Sequence, residues 1–432
     1  MLKKLYQQGL VLVKKTGFYF AASVIGSILN YVYHVLLTFY LVPAQYGQIQ
    51  TLNSLSYYWI VLTGALRIST TELIASADKS QVLNTIFLTI NRHLKLAAAS
   101  VVLLVLGFWP VVRFLKIDPP VLYVFFAVEL ILMLFSLIFR SALRARLKFN
   151  LDGWVQIVSG VIKIGLFVVP AYLLAFDQGA EPLLTLSQGA KVGFQASLII
   201  FFWLFLSTTY LPADSARKTE QGDAGAKRQA DKLFVKSLSL NLVINLALTS
   251  LFNTDMLFVK RIFSETEAGT YAFASTLGKI IYFVSMMLIT FVFPVVAKHK
   301  ERPRKFRRYI WLGLILMVGF DGLMVLVYSW KPSWILQLLS SNFNSIPYLG
   351  TYALFITASV IFNYMVKMLL ILHKKAAASL STTIALLQIA AMISYHDDIN
   401  QLLVGSIAVL GAGMAAAAPL LYRQICYDKT NR

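Results

Sequence analysis

Cysteine is almost absent from this chain of 432 residues, since Cys426 is the only one. A single cysteine excludes an intramolecular disulfide and a cysteine-based metal cluster. Charged residues are also scarce at 13 %, whereas 58 % of the residues are hydrophobic and the mean hydropathy is +0.70. A soluble chain of this length rarely has so little charge to cover its surface. The composition therefore indicates a membrane protein.

Long apolar runs recur along the whole chain, and many approach the ~20 residues that a membrane-spanning helix needs. They do not alternate apolar and polar residues as spanning strands do. The first run is too long for a signal peptide and no small-residue cleavage pattern follows it, so we expect it to remain as the first helix. We predict an all-α polytopic membrane protein with about twelve transmembrane helices, at residues 17–41, 47–73, 94–114, 119–139, 152–175, 184–208, 237–260, 268–296, 309–330, 346–372, 377–394 and 400–422.

Motifs for catalysis and metal binding are missing as well. The chain has no P-loop sequence, which argues against an ATP-driven pump, and no HExxH or Cys/His spacing for a metal. Asp397 and Asp398, in a predicted outer loop, are a weak signal for a cation. No loop is long and acidic, as an integral-membrane glycosyltransferase would usually need. We therefore expect no enzyme activity, no metal and no resident cofactor.

Acidic residues are few, with 19 Asp and Glu against 39 Lys and Arg, and the net charge is +20. Most of the basic residues fall in loops that alternate with loops holding few of them, as the positive-inside rule describes for cytoplasmic loops. The basic, amphipathic segment LKKLYQQGLVLVKK is expected on the cytoplasmic surface, against anionic lipid headgroups. The charge is thus a signal of topology rather than of nucleic-acid binding, and both termini are predicted to be cytoplasmic.

One stretch, Asn253 to Phe283, predicts a transmembrane helical hairpin. An apolar run carrying Asp255 reaches the polar connector SETEAG, and the next apolar run carries Lys279. A similar stretch, YLVPAQYGQIQTLNSLSYYWIVL, lies near the N-terminus, and Gly47 and Gly269 hold the same place in the two stretches, 222 positions apart. The chain therefore reads as two related halves of about six helices each.

The predicted organisation has four parts. Residues 1–16 form an amphipathic cytoplasmic segment, and residues 17–210 form the N-lobe with helices 1 to 6. Residues 211–236 are polar and lack an apolar face, so they are expected to be a cytoplasmic linker. Residues 237–432 form the C-lobe with helices 7 to 12.

Ionisable residues inside the predicted spans are candidates for a transport pathway, because charge is costly in a bilayer. The candidate substrate-binding cations are Lys279, Arg67, Lys163, Lys367 and Lys191. The candidate ion-coupling groups or charge partners are Asp255, Asp321, Glu129 and His34, with Glu72 near a cytoplasmic helix end. Cations exceed acids in this set, which favours a pathway for an anion.

Helical spacing groups several of these charges with other polar residues on one face. Such faces should point to a bundle interior or a water-filled cavity. The four predicted faces are Ser237, Asn241, Asn245, Thr249 and Asp255; Tyr271, Ser275, Lys279 and Tyr282; Gln156, Gly160 and Lys163; and Ser359, Asn363 and Lys367.

A structural role is the alternative for each charge. Lys191 and Lys367 lie near span ends, from which a lysine reaches lipid headgroups. The other structural interpretations are a pair between Arg67 and Glu72, a pair of Asp255 with Lys260 or Arg261, a buried pair of Lys163 or Lys279 with Glu129, Asp321 or Asp255, and a hydrogen-bonded interior His34.

The stretches LVPAQYGQIQTLNSL and NTDMLFVKRIFSETEAGTYAFASTLGKI resemble the starts of the two lobes in polysaccharide flippases. These flippases belong to the multidrug/oligosaccharidyl-lipid/polysaccharide exporter superfamily. The resemblance implies two six-helix lobes around a central cavity, alternating access, and cavity cations that attract the pyrophosphate of a lipid-linked saccharide. It points first to Lys279 and Arg67 for that role, with Lys163 next. Twelve spans depart from the fourteen that are typical of the peptidoglycan-precursor flippase.

The expected function is flipping of a polyprenyl-pyrophosphate-linked oligosaccharide from the inner to the outer leaflet of a bacterial or archaeal cytoplasmic membrane. Coupling to Na+, H+ or the membrane potential is an open expectation. The expected partners are the lipid-linked saccharide, membrane lipids, and a polysaccharide polymerase or glycosyltransferases. Two alternatives stay open, a multidrug/cation antiporter of the same fold and a non-transporting scaffold of a polysaccharide-assembly complex.

Overall fold

The structure is a computed structural model of the whole chain. It describes residues 2–75, 82–145, 148–174, 177, 179–210, 240–298, 303–339, 343, 345–372 and 374–427. Within these ranges the chain is helical, without a strand. The helices are α1 (Leu2–Tyr40), α2 (Pro43–Ala75), α3 (Val82–Phe114), α4 (Val121–Ala145), α5 (Phe149–Leu173), α6 (Glu181–Tyr210), α7 (Leu240–Ser250), α8 (Thr254–Ile262), α9 (Glu265–Lys298), α10 (Pro303–Trp330), α11 (Pro332–Leu339), α12 (Leu349–Leu372), α13 (Lys374–Ser394) and α14 (Ile399–Tyr427).

The prediction of an all-α polytopic membrane protein is confirmed. In the described part of the chain, ten helices are long and apolar enough to cross a membrane, and the bent pair α7 and α8 makes eleven if it is one span. Each of the twelve predicted spans coincides with a helix or with this pair. The second predicted span, α2, has 33 residues but is not among the ten, because it carries a series of polar residues. Several of these are buried: Gln48, Gln50, Thr51, Ser54 and Thr63.

The seventh predicted span is not one continuous helix. Residues 251–253 are a turn, and α7 and α8 meet there at an angle of 46°. The prediction of one polar face from residue 237 to Asp255 assumed one continuous helix. Because the helix is interrupted at the bend, residues before and after it do not share one helical face. Asp255 therefore lies in the first turn of a separate helix, where a carboxylate is favoured by the helix dipole.

The chain divides into two compact units. The first comprises residues 1–52 and 62–222, and the second comprises residues 53–61 and 223–432. The middle part of α2 thus belongs with the second unit. The predicted linker at 211–236 lies outside the described residues.

The hairpin at the start of each predicted half is a repeated element. Helix α1 ends at Tyr40 and α8 ends at Ile262, which is 222 positions later, and α2 and α9 begin at Pro43 and Glu265, which are also 222 positions apart. The 222-residue spacing of Gly47 and Gly269 is therefore also the spacing of the helix boundaries. The two hairpins thus form an internal repeat.

A capping box begins α9. The Ser264 backbone N–H donates to Glu267 Oε2 at 3.0 Å, and the Glu267 N–H donates to Ser264 Oγ at 3.3 Å. These two bonds satisfy N–H groups that have no partner inside the helix. The connector is shorter than predicted, because only residues 263 and 264 separate α8 from α9.

Inside the first unit, α5 packs against α1 and α6, and α4 packs against α6. Small residues allow the α1–α5 approach, since a Cβ at Gly160 would lie 3.1 Å from Leu29. Inside the second unit, α12 packs against α9, α10, α13 and α14. A Cβ at Gly278 would lie only 2.4 Å from the Tyr352 ring, so glycine sets the approach of α9 to α12.

Candidate functional site

The second unit buries an acid beside the bend of the seventh span. Asp255 is fully buried, and its Oδ2 accepts a hydrogen bond from the Tyr271 hydroxyl of α9 at 2.6 Å. The Tyr352 hydroxyl of α12 donates to the same oxygen at 3.4 Å, and the two tyrosine rings meet edge to face at 5.3 Å. Three helices thus converge on one carboxylate.

Lys279 is the cation of this unit that lies within electrostatic reach of Asp255. It is 6 % exposed on α9, and its Nζ lies 4.8 Å from the centroid of the Tyr57 ring. An ammonium over an aromatic face gains cation–π stabilisation, most where water is excluded. The buried charge on each arm of the hairpin, which the sequence indicated, is therefore observed.

The bend also turns backbone groups toward side chains of other helices. The Leu251 carbonyl accepts from Gln388 Nε2 of α13 at 3.1 Å and from Ser359 Oγ of α12 at 3.5 Å. The Thr254 hydroxyl lies 2.7 Å from the Tyr58 hydroxyl. These side chains satisfy polar groups that the interrupted helix leaves without an internal partner.

The suggested pairing of Asp255 with Lys260 is wrong. Lys260 Nζ donates to Glu265 Oε2 at 2.6 Å and forms an ion pair there, and the lysine side chain is fully buried while Glu265 is half exposed. Asp255 instead is bound by tyrosine hydroxyls. The sequence placed Lys260 in an outer loop, whereas it lies in the last turn of α8.

The first unit buries two lysines near one acid. Lys163 of α5 is 5 % exposed, donates to Asn30 Oδ1 of α1 at 2.5 Å, and lies 4.3 Å from the centroid of the Tyr33 ring. Lys191 of α6 is also 5 % exposed. Both lysines are attracted by Glu129 of α4, and Lys191 repels Lys163.

Glu129 is held by a side chain of α6. Gln188 Nε2 donates to Glu129 Oε2 at 2.9 Å, and Gln188 is fully buried. The Tyr33 hydroxyl donates to the backbone carbonyl of Ser187, the residue that precedes Gln188. Two buried lysines thus lie within electrostatic reach of the Glu129 carboxylate. Burial of Lys191 does not agree with its predicted position among lipid headgroups.

The predicted polar face of α5 points into the first unit. Gln156 accepts from Arg140 Nη2 at 2.9 Å, Gly160 lies against Leu29, and Lys163 binds Asn30. A residue spacing read from the sequence thus identified one interior face. The structural prediction for this stripe, a bundle interior, is confirmed for these three positions.

The remaining predicted residues have other contacts. Asp321 of α10 is fully buried and accepts from Ser285 Oγ of α9 at 2.5 Å. His34 is half-buried, with its Nδ1 3.0 Å from Gln50 Nε2, as the interior-histidine alternative expected. Lys367 is half-buried in α12.

Arg67 of α2 is exposed. Its suggested partner, Glu72, has a side chain outside the described set, so that pair stays a prediction. Among the described residues, no group of three or more His, Cys, Asp or Glu side chains could hold a metal ion.

Several residues that build these groups were not found from the sequence. Tyr352 and Asn30 are polar residues of α12 and α1, and the local sequence does not indicate which charged side chain each one contacts. Asp152, an acid at the start of the fifth predicted span, was not among the predicted site residues. It binds Arg140 and Arg144, which the sequence had placed in a solvated loop after residue 139. Helix α4 instead continues to Ala145.

Comparison with solved structures defines the class of the fold. The chain matches an inward-facing multidrug resistance MATE family transporter of the MOP superfamily, with a TM-score of 0.72 at 12 % identity over 94 % of this chain and 96 % of the other. It matches lipid II flippase MurJ in an inward closed conformation, with a TM-score of 0.67 at 14 % identity over 94 % and 88 %. It also matches a MATE transporter of Vibrio cholerae, with a TM-score of 0.58 at 14 % identity over 97 % and 98 %.

The fold is thus shared with MATE transporters and with MurJ, and the chain is an integral, multi-pass membrane protein of that architecture. At these identities the likeness concerns the fold. No family model matches the sequence, and no curated protein matches it. The solved structures that share this fold include a lipid II flippase and multidrug resistance transporters.

Proposed function

We propose that this protein flips a polyprenyl-pyrophosphate-linked oligosaccharide from the inner to the outer leaflet of a bacterial or archaeal cytoplasmic membrane by alternating access. The observation that carries the proposal is the burial of Lys163 and Lys191 at 5 % exposure, both within electrostatic reach of Glu129. An interior with more cations than acids attracts an anionic headgroup and repels a cationic drug.

Lys279 is the proposed substrate cation of the second unit. It is buried, and its Nζ lies over the face of the Tyr57 ring. Asp255 lies within electrostatic reach of this lysine and attracts its positive charge. Asp255, Asp321 and Glu129 are proposed for coupling to Na+, H+ or the membrane potential. No covalent change to the substrate is part of this function.

Transport in proteoliposomes tests the role of Lys279. We expect Lys279→Ala to abolish flipping of a fluorescent polyprenyl-pyrophosphate oligosaccharide, with normal insertion and elution on gel filtration. The matched control is Lys305→Ala, because Lys305 is an exposed lysine of α10. Full activity of Lys279→Ala would remove this lysine from the mechanism.

One observation favours the alternative of a multidrug/cation antiporter. Asp255 is a buried acid among the aromatic side chains Tyr271 and Tyr352, and an acid among aromatic rings is suited to an organic cation. That function predicts that the wild-type protein expels a cationic dye and that the Asp255→Asn variant does not. A non-transporting scaffold instead predicts no transport of either substrate, with recovery of a polysaccharide polymerase or glycosyltransferase in a pull-down.

A further inference from the structure

Two helices, one in each unit, carry a long apolar face that the described part of the chain leaves exposed. The exposed apolar residues of α5 are Trp154, Val158, Val161, Leu166, Val169, Tyr172 and Leu173. Those of α10 are Trp311, Leu312, Ile315, Leu316, Val318, Leu323, Leu326, Val327 and Trp330. At ~100° per residue, each set falls within one half of the helix circumference. We call the two sets the α5 stripe and the α10 stripe.

Each helix has one charged residue between the ends of its stripe, and that residue is buried on the other half of the circumference. In α5 it is Lys163, and in α10 it is the fully buried Asp321. A charge that faces lipid is costly. Both helices therefore keep the exposed half free of charge, as a surface in contact with acyl chains requires.

Exposed aromatic residues stand at both ends of each stripe. Trp154 and Tyr172 are 54 % and 77 % exposed, and Trp311 and Trp330 are 56 % and 83 % exposed. Trp and Tyr concentrate at the two membrane–water interfaces, where the ring lies among apolar groups and its polar atom reaches water. The aromatic pairs are 18 and 19 positions apart, which is about 27–29 Å along the helix axes.

Basic residues lie just beyond the aromatic ends of α10. Lys331 follows Trp330, and its Nζ lies 5.9 Å from the centroid of the Trp330 ring. Helix α3 ends in a similar way, with the Arg113 guanidinium 5.4 Å from the centroid of the exposed Trp109 ring. Cations at this depth reach the phosphates of lipid headgroups. Exposed basic residues also precede the α10 stripe at its other end: Arg304, Lys305, Arg307 and Arg308.

We propose that the α5 and α10 stripes are lipid-contact surfaces whose aromatic ends fix each unit in a bilayer with a hydrocarbon core of about 27–29 Å. A helix tilt of ~20° would shorten this height by less than ~2 Å. The height fits an average bilayer of ~30 Å or a slightly thinner one, and it is too small for a sterol-rich membrane of ~32–33 Å. The inference does not depend on which substrate is transported.

The proposal also assigns a depth to the buried charges of these helices. Lys163 lies 9 positions from each aromatic end of the α5 stripe, and Asp321 lies 10 and 9 positions from the ends of the α10 stripe. Both are therefore near the middle of the membrane, at about 14 Å from either interface, where headgroups do not reach them. Interior partners take the place of water, Asn30 for the lysine and Ser285 for the acid.

Nitroxide labels on single cysteines measure this depth in reconstituted vesicles, in a Cys426→Ser background. On α10, we expect Gly319→Cys to have the highest accessibility to oxygen, because it lies next to the middle of the stripe and nothing is within 4 Å of a Cβ there. Labels at Ile315→Cys and Leu326→Cys lie at equal distances from the middle and should be equally shallower. The control Arg308→Cys should instead be accessible to a water-soluble nickel complex.

The α5 stripe gives an independent profile. Val161→Cys should be the deepest label, with Val158→Cys and Val169→Cys shallower. All of these positions are exposed, so their substitution disrupts no packing. Access of the nickel complex to Val161 or Gly319 would show water against the stripe, and access of neither reagent would show that a second copy of the chain covers it. Either result would overturn the lipid assignment.

Thermal unfolding in nanodiscs of phosphatidylcholines with increasing chain length tests the thickness. We expect the midpoint to be highest where the hydrocarbon core is about 27–29 Å, and the maximum to flatten when Trp311→Ala and Trp330→Ala are combined. The matched control combines Leu312→Ala and Leu326→Ala, which lie inside the α10 stripe, and should keep the maximum at the same thickness. A midpoint that rises steadily up to ~33 Å, or an unchanged profile without the two tryptophans, would refute their role as anchors.

Discussion

Removal of the Tyr271 hydroxyl is a direct test of the buried Asp255 site. In Tyr271→Phe, the 2.6 Å hydrogen bond to Asp255 is lost and the 3.4 Å contact from Tyr352 remains. A hydrogen bond to a charged group contributes about 1.5–3 kcal/mol, whereas hydrogen bonds between transmembrane helices average about 0.6 kcal/mol. Because this bond is short and buried, we expect the free energy of unfolding to fall by about 1–2 kcal/mol.

The assay is unfolding in mixed detergent–SDS micelles, with Tyr348→Phe as the matched control. Tyr348 is also buried and its ring lies 6.0 Å from that of Tyr271, but its hydroxyl makes no hydrogen bond within the described part of the chain. Removal of the Tyr348 hydroxyl should therefore leave the free energy of unfolding unchanged. In an Asp255→Asn background, the effect of Tyr271→Phe should shrink to a few tenths of a kcal/mol, about that of a neutral pair. Full additivity of the two substitutions would refute the proposed coupling.

Three further predictions concern packing, capping and topology. Gly278→Ala should destabilise the protein by about 1–3 kcal/mol, because its Cβ would meet the Tyr352 ring at 2.4 Å. The control Gly319→Ala should be neutral or stabilising, since nothing lies within 4 Å of that Cβ. Equal unfolding midpoints of the two variants would contradict this prediction. Ser264→Ala should cost about 1 kcal/mol through the lost cap of α9, and an unchanged midpoint would show that packing alone fixes that helix. A cysteine placed by Lys429→Cys in a Cys426→Ser background should react with an impermeant maleimide in inside-out vesicles and not in intact cells, and the opposite labelling would reverse the predicted topology.

Local patterns predicted much of the fold because they act within a few residues. The sequence Ser264–Glu265–Thr266–Glu267 contains the capping box that begins α9, and the structure forms it. The 222-residue spacing of Gly47 and Gly269 matches the spacing of the helix ends. Each of the twelve predicted spans coincides with a helix or with the bent pair α7 and α8.

The bend of the seventh span was not predictable from apolarity. Leu251 and Phe252 continue the apolar run, and no proline or glycine marks the turn at residues 251–253. The turn is supported by distant side chains, since Gln388 and Ser359 bind the Leu251 carbonyl. A single sequence does not show which remote residues will supply such bonds.

Charge partners were the least predictable part of the candidate site. The sequence identified Lys163 and Glu129 as interior charges, and the structure adds that Lys191 shares the same carboxylate. The sequence did not predict that Lys260 is buried against Glu265 or that Asp152 binds two arginines. These pairs depend on contacts between helices, which helical periodicity does not encode.

The most direct test of the central claim compares two substrates of the wild-type protein in the same proteoliposomes. One assay follows flipping of a fluorescent polyprenyl-pyrophosphate oligosaccharide, and the other follows expulsion of a cationic dye under an imposed Na+ or H+ gradient. The excess of buried cations in the first unit predicts that the lipid-linked saccharide is flipped and the dye is not expelled. Dye expulsion without flipping would contradict the account and identify Asp255, rather than the lysines, as the centre of substrate binding.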